Sequence, residues 1–513
     1  MKKNQIYAAV IGILIGALLV LCFQKMGENR RLYRTTNQDW RKLNLILQTI
    51  DDNYVDTVDR KKVSEAAISA ALRSLDPHSV YMPPQELEAT EEDLAGNFSG
   101  IGIQFNVPND TAIVIEVIPG GPAEKIGMQP GDRLLKVDDT VIAGVKFPQD
   151  SMVRHIKGPV GTKVTVTVGR DDEQIPFEIT RDRIPTHSVD AAFMVNDTTG
   201  FLRLSKFSRT TYEEFVVAAG RLKENNGMKH LIVDLRDNSG GYFEQALKLS
   251  NLFLNKGQCI VYMEGLHRPR QEYKADGRGA FRGMGLTLLV SDGSASSSEI
   301  FAGAMQDNGR ATLVGRRTFG KGLVQEPVNF TDGSGIRLTV ARYYTPSGRC
   351  IQKPISDDYA YDIYMRYGSG EMTNADSMKV SNGGIIPDIF VPMDTTKVGK
   401  FYVNCNKKAT TMRFASAWFD GHKSELQAID DYDVLKKYLY NSHVEKHFLA
   451  FAKERDGLEP APGEWNVERP YLMTQVRALI GRYSKLGDNA FYHIYLYNDE
   501  VYNAAMKALR EGK

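Results

Sequence analysis

Cysteine is scarce in this chain of 513 residues: four are present, at positions 22, 259, 350 and 405, and no two are spaced as Cys-x-x-Cys. Cys22 lies in an apolar stretch and leaves an odd number behind it, so neither a disulfide framework nor a zinc site is expected. The nine histidines are scattered, without a His-Glu-x-x-His pair, which excludes that metallopeptidase pattern. No metal and no cofactor is expected. A Gly-x-Ser-x-Gly elbow is also missing, which counts against an α/β-hydrolase. Charge of either sign is not in excess: the net charge is +1, which leaves no footprint for nucleic acid. Gly315, Gly320 and Lys321 come close to a phosphate-binding loop, but Gly322 stands where Ser or Thr would hold magnesium.

Long hydrophobic runs are equally rare. One, residues 6–23, follows Met1-Lys2-Lys3. It is about the minimum length for a membrane-spanning helix, and the lysines predict a cytoplasmic N-terminus. No small-x-small cleavage site follows it, which favours an uncleaved anchor over a signal peptide. Everything after residue 30 is then expected to be exported.

What the chain does carry is a serine cluster, Gly293-Ser-Ala-Ser-Ser-Ser-Glu299, and a lysine between glycines in Phe319-Gly-Lys-Gly322. A serine hydroxyl needs a base to act as a nucleophile at neutral pH, and a desolvated lysine can be that base. Ser296 and Lys321 are therefore a candidate dyad, one of the variants of serine-hydrolase logic. Ser296-x-x-Glu299 also fits a helix capping box, in which the serine would only cap. Around these loops, His230–Leu235, Leu286–Val290 and Ala311–Val314 read as buried strands. They alternate with helices expected to run from Gly241 to about Leu254 and from about Ser298 to Asp307. This βαβα order predicts a layered α/β domain with its site at the carboxyl ends of the strands.

Asp234-Leu-Arg-Asp-Asn-Ser-Gly-Gly241, Gly293–Ile300 and Thr318–Gly322 resemble the three core motifs of the carboxyl-terminal processing (tail-specific) serine peptidases. The resemblance implies Ser296 as nucleophile, Lys321 as base and Gln325 as its support. It also implies Asp307 as a possible supporting carboxylate. The second alanine of the usual family serine motif is Ser297 here. A peptidase needs preorganised oxyanion donors, and the main-chain N–H of Ser297 with that of Gly240 or Gly241 are the candidates. His78, in the prolyl turn Asp76-Pro-His-Ser79, is read as structural. The resemblance further implies a core of the ClpP/crotonase-like type and the bacterial inner membrane as location, with the catalytic part on the periplasmic side.

Residues 97–183 alternate apolar and polar in Ala112–Val117 and Lys163–Val168, and carry Gly120–Gly127 and Gln129-Pro-Gly-Asp132 as turns. They resemble a PDZ domain, with Gly100, Ile101, Gly102 and Ile103 as its peptide-carboxylate loop. The expected architecture is multidomain α+β. It comprises a membrane anchor and flank (1–30), a helical N-terminal arm (31–96), the PDZ domain (97–183), the peptidase core (184–395) and a C-terminal helical domain (396–513). Expected partners are protein or peptide substrates with free apolar C-termini, the membrane, further copies of the chain in a homo-oligomer and an adaptor protein. The polar stretch Ser356–Gly384 has no reading. A non-catalytic scaffold on a decayed peptidase fold is the alternative, and the retention of Ser296, Lys321 and Gln325 argues against it.

Overall fold

The computed structural model describes residues 38–107, 110–118, 120–170, 173–355, 365–366, 371, 383–394 and 396–512. The expected membrane helix at 6–23 and most of the 356–384 stretch lie outside these residues. Among the described residues, no helix is long and apolar enough to cross a membrane. The chain divides into two compact units that meet between Leu75 and Asp76. In the first, helices Gln38–Asn53 and Arg60–Arg73 are present where apolar residues recur at helical spacing. Gln38–Asn53 buries no residue, and Trp40 and Leu45 stand exposed on it.

The second unit holds a mixed central sheet, an antiparallel second sheet and a PDZ-like sheet. Its central sheet has the order Val189–Met194, Thr199–Leu204, His230–Asp234, Gly285–Val290, Thr312–Gly315, Ile389–Phe390. The first pair is antiparallel and all the others are parallel. Alternate side chains enter two different cores, as the strand period of two requires. Leu231, Val233, Leu286, Leu288 and Leu313 face one core. Phe201, Ile232, Leu289 and Val314 face another, together with Leu496, Val501 and Ala505 of the C-terminal helices. Both faces are therefore covered, which explains why these strands read as unbroken apolar runs.

A second sheet, Val80–Met82, Gly335–Tyr344, Cys259–Gly265, Arg268–Lys274, with Leu323–Asn329 paired to Gly335–Tyr344, carries the chain that follows the lysine loop. The short strand Val80–Met82 interrupts the region expected to be a helical arm. The PDZ-like sheet runs Ile103–Asn106, Ala112–Val117, Arg133–Val137, Lys163–Arg170, Glu173–Thr180. It closes over a core that includes Ile101, Val114, Leu134, Met152 and Val166. A separate ribbon, Asn97–Gly100 against Asp182–Pro185, brings the chain into this module and out of it. Helices from Lys400 to Arg510 form the C-terminal domain around Phe414, Phe419, Phe448 and Leu472.

Candidate active site

Strand Gly285–Val290 ends in the turn Ser291–Ala295, and helix Ser297–Asp307 begins directly after Ser296. Ser294 Oγ fixes the turn by donating to the Leu235 carbonyl at 2.8 Å and accepting from Ser291 N at 3.0 Å. Ser296 adopts φ 54°, ψ −114°, a conformation that a residue with a side chain holds only when its surroundings enforce it. The enforcing group is Glu299, which is fully buried. Its Oε2 accepts from Ser296 N at 2.9 Å, which is the capping contact expected from the sequence. The same carboxylate crosses to the lysine loop. It accepts from Thr318 Oγ1 at 2.5 Å, Gly320 N at 2.7 Å and Lys321 N at 2.8 Å. Burial pushes the Glu299 carboxyl above its ordinary range, against the pull of these hydrogen bonds. The Ser-x-x-Glu spacing marks only half of this role, because no pattern in the chain points to the second loop that the carboxylate ties.

Ser296, Lys321, Gln325, Gly240, Gly241 and His78 line one cavity of about 850 Å³. Its apolar walls include Phe207, Phe243, Leu323 and Tyr343. Among the described residues, no hydrogen bond joins Ser296 to Lys321. Catalytic contacts of this kind often tighten only when substrate is bound. Burial lowers the Lys321 pKa, and the nearby Arg337 charge lowers it further, while Glu299 and Asp76 oppose the shift. Gln325 Nε2 donates to the main-chain carbonyl of His78. His78 itself, read from the sequence as a turn residue, reaches the cavity wall. Burial, and after it the Lys321 charge, holds its imidazole down at about 4. The turn that carries it is built by Asp76, which accepts from His78 N and Ser79 N, each at 2.7 Å.

The two loop glycines differ. Gly240 N–H is already committed to Asn238 Oδ1 at 2.9 Å, so of the two glycines expected as alternatives beside Ser297 this conformation leaves Gly241. The difference between the two glycines has a local cause: an asparagine side chain two residues back captures the first. Gly240 matters sterically instead. At φ +100° its Cα lies so close that an added Cβ would be 2.8 Å from Ser296 Cβ and 2.9 Å from Ser297 N. Gly241, at φ +145°, would place a Cβ 2.1 Å from the Phe207 carbonyl oxygen. Ser297 is the first residue of its helix, so its N–H belongs to the donors that have no intrahelical partner. Its Oγ donates to the Gly241 carbonyl at 2.9 Å and joins the two loops.

Asp307 does not line the cavity. Its carboxylate accepts from Ser347 N at 2.9 Å and Ser347 Oγ at 2.7 Å and pairs with Arg349. Burial raises its pKa, but hydrogen bonds from Thr345 and Ser347 outweigh this and hold the carboxyl below its ordinary value. Among the described residues, no group of His, Cys, Asp and Glu is arranged to hold a metal ion.

In the PDZ-like module, Ile103–Asn106 is the first strand of its sheet and pairs on one side only, with Ala112–Val117. Ile101 and Ile103 bury their side chains in the module core, and the carbonyls of Ile101 and Gly102 already accept from Ala123 N and Ile118 N, so a ligand here would meet main-chain N–H groups. Gly102 has φ +83°, and a Cβ there would lie 3.3 Å from Gly121 Cα. A second cavity, of about 840 Å³, is lined by Lys157 and Arg183 from the module side and by Arg209 and Tyr242 from the core. Tyr242 lines both cavities.

A serine at a strained strand-to-helix junction, a half-buried lysine lining the same cavity and an appended PDZ fold together define a serine-type peptidase with a peptide-binding module. The comparisons agree. The family model described as Peptidase family S41 matches residues 198–361, that of a PDZ domain residues 99–180, and that of the activating protease CtpB N-terminal domain residues 21–86. A CtpA-like serine protease of Staphylococcus aureus (strain COL) is 30% identical over 388 residues, 74% of this chain and 77% of that relative. One from Staphylococcus epidermidis is 33% identical over 342 residues, 66% of this chain and 68% of the relative. The structure of a photosystem II D1 C-terminal processing protease is 26% identical and covers 67% of this chain and 91% of its own, at a TM-score of 0.37. This chain belongs to peptidase family S41, and it is a serine-type peptidase.

Proposed function

We propose that this chain is a Ser-Lys endopeptidase that selects proteins by their C-terminal residues and acts outside the cytoplasm from a membrane anchor. The observation that carries the chemistry is Ser296 in its strained conformation, facing a cavity shared with Lys321 and Gly241. Lys321 as the neutral amine takes the Ser296 proton as Oγ attacks the scissile carbonyl. The tetrahedral oxyanion forms against the N–H groups of Ser297 and Gly241. The lysine then gives its proton to the leaving amine, and water hydrolyses the acyl-enzyme with Lys321 as base once more. Gln325, held through His78, supports the lysine. Asp307, bound to the Ser347–Arg349 turn, keeps the far end of the nucleophile helix in place.

The free outer edge of Ile103–Asn106 supports substrate capture by β-augmentation, with the main chain of residues 100–103 receiving the terminal carboxylate. The cavity bounded by Lys157, Arg183 and Tyr242 gives the captured tail a route toward Ser296. Exposed apolar residues on Gln38–Asn53 support pairing of chains through the N-terminal arm, and an adaptor could gate delivery. Residues 6–23 supply the anchor, with the catalytic part on the periplasmic side of a bacterial inner membrane.

The test is a peptide assay on wild type and Ser296→Ala, with a serine-directed covalent probe. Activity and labelling should vanish in the variant, while its melting temperature stays within a few degrees. Substantial turnover by folded Ser296→Ala would remove the dyad. If the serine only caps its helix, the change costs about 0.5–2 kcal/mol of stability and spares activity.

A further inference from the structure

Asp499 comes from the C-terminal helical domain, which lies outside the segment that matches the family model. It caps the last helix, Glu500–Arg510, by accepting from Tyr502 N through Oδ1 at 2.8 Å. Its other oxygen accepts from Arg236 Nη1 at 2.6 Å, across 263 positions of sequence. Arg236 also grips Asp234, with Nε to Oδ1 at 2.9 Å and Nη2 to Oδ2 at 2.7 Å. Arg203 Nη1 completes the cluster at 2.9 Å from Asp234. Side-chain exposure is 1% for Asp234, 10% for Asp499 and 14% for Arg236. Two guanidiniums thus balance two carboxylates away from water, the condition under which a buried charge is tolerated.

The position of this cluster gives it meaning. Arg236 opens the loop that ends at Gly241. The next residue, Asp237, has φ +60°. Asn238 follows, fully buried. Its carbonyl accepts from Ala295 N at 3.0 Å and from Ser298 Oγ at 2.9 Å, on the nucleophile loop. Asp234 is the last residue of the strand that leads into this loop and holds Arg236 only to its own stretch of chain. Asp499 ties the arginine to a different part of the fold.

We infer that Asp499 is a positioning residue for the peptidase reaction: by holding Arg236 from the C-terminal domain, it keeps the 237–241 loop in register with Ser296. Asp499 touches no reacting atom, and its effect passes through Arg236 to the Gly241 N–H. The inference rests on the proposed reading of Gly241 as oxyanion donor.

Asp499→Asn tests it. The amide keeps an oxygen for the Tyr502 cap and nearly the same volume, but it loses the charge that holds Arg236. The kcat should fall about tenfold or more, as small misplacements of a catalytic constellation do, with KM changed less than about twofold. Inhibition by a peptide boronate, whose tetrahedral adduct occupies the oxyanion hole, should weaken by the same factor as kcat/KM. Glu500→Gln, a neighbour that pairs with Lys397 instead, should leave kcat unchanged and controls for damage to the interface. Wild-type kcat in folded Asp499→Asn, or a loss confined to KM, overturns the inference. If Asp499→Asn does not fold, Asp499→Ser takes its place, since serine still caps the helix but is too short to reach Arg236; the same outcomes decide. Wild-type turnover that survives Ser296→Ala would instead remove the reading of the site itself, whatever Asp499 does.

Discussion

Ser296 and Lys321 share an acceptor: their main-chain N–H groups both donate to Oε2 of Glu299, at 2.9 and 2.8 Å. The serine loop and the lysine loop are thereby set relative to each other by one buried carboxylate, independently of what the two side chains do. Glu299→Gln keeps one oxygen and replaces the other with an amide nitrogen that cannot accept. Buried N–H groups would then lose their partner, at about 1–3 kcal/mol for each one left unsatisfied. The expected result is a loss of stability of that order in chemical denaturation, and a fall in kcat that exceeds any rise in KM. A Gln variant with wild-type kcat would show that the two loops hold their geometry without the carboxylate.

Lys321 must be neutral to act, and burial already lowers its pKa. Activity should rise with pH through that lowered value, in a profile of kcat/KM against pH. Arginine stays charged at any working pH, so Lys321→Arg should be as inactive as Lys321→Ala. Retained activity in the arginine variant would exclude the base role. His78 bounds the acid side of stability. Its imidazole is held at about 4 in the folded chain, against an ordinary 6.5. The unfolded chain therefore binds a proton more readily between these values. Stability is whole above about pH 6.5 and falls as the pH drops toward 4, which thermal melts across that range would record; His78→Gln should flatten part of the slope.

Much of this site could be read from the chain itself. Leu231–Val233 and Leu288–Val290 are apolar without interruption because helices cover both sheet faces, and the residues that follow them form the loops of the candidate site. The limits are physical. Whether Gly240 or Gly241 offers its N–H depends on where the Asn238 side chain turns, which no spacing records. The Arg236–Asp499 pair joins residues far apart in sequence, and neither belongs to a pattern that points to the other. His78 reads as a turn residue because Asp-Pro-His-Ser is a turn pattern. It is one, but the second sheet carries that turn to the cavity wall.

Tail selection should depend on the terminal carboxylate of the substrate. Peptides that differ only at the C-terminus are compared: a free apolar end, the same end amidated, and the same end extended by two aspartates. Amidation removes the charge that main-chain donors would receive, and the aspartates force charge toward an apolar groove. Both should slow cleavage by the intact protein, and replacement of residues 97–183 by a short linker should erase the difference between tails. Equal rates for all three tails with the intact protein would end the tail-reading role and leave the Ser296 chemistry standing.

The anchor is tested in cells. The full chain should remain in the membrane pellet after alkaline carbonate washing, and protease added to the periplasmic side should digest its C-terminal part. Recovery of a soluble product that begins near residue 25 would identify residues 6–23 as a cleaved signal peptide instead.

The ribbon Asn97–Gly100 against Asp182–Pro185 places Gly100 opposite Asp182. Neighbouring strands bring such Cα atoms to within about 5.5 Å. The chain thus enters and leaves the peptide-binding module at two points that nearly coincide, and beyond them the module also touches the C-terminal domain, where Arg133 pairs with Asp420 at 2.6 Å. Such an attachment makes the module a cassette. A different small domain whose own ends lie side by side meets the covalent requirement at the same two positions, and the remaining demand on it is to match or spare the Asp420 side of the C-terminal domain.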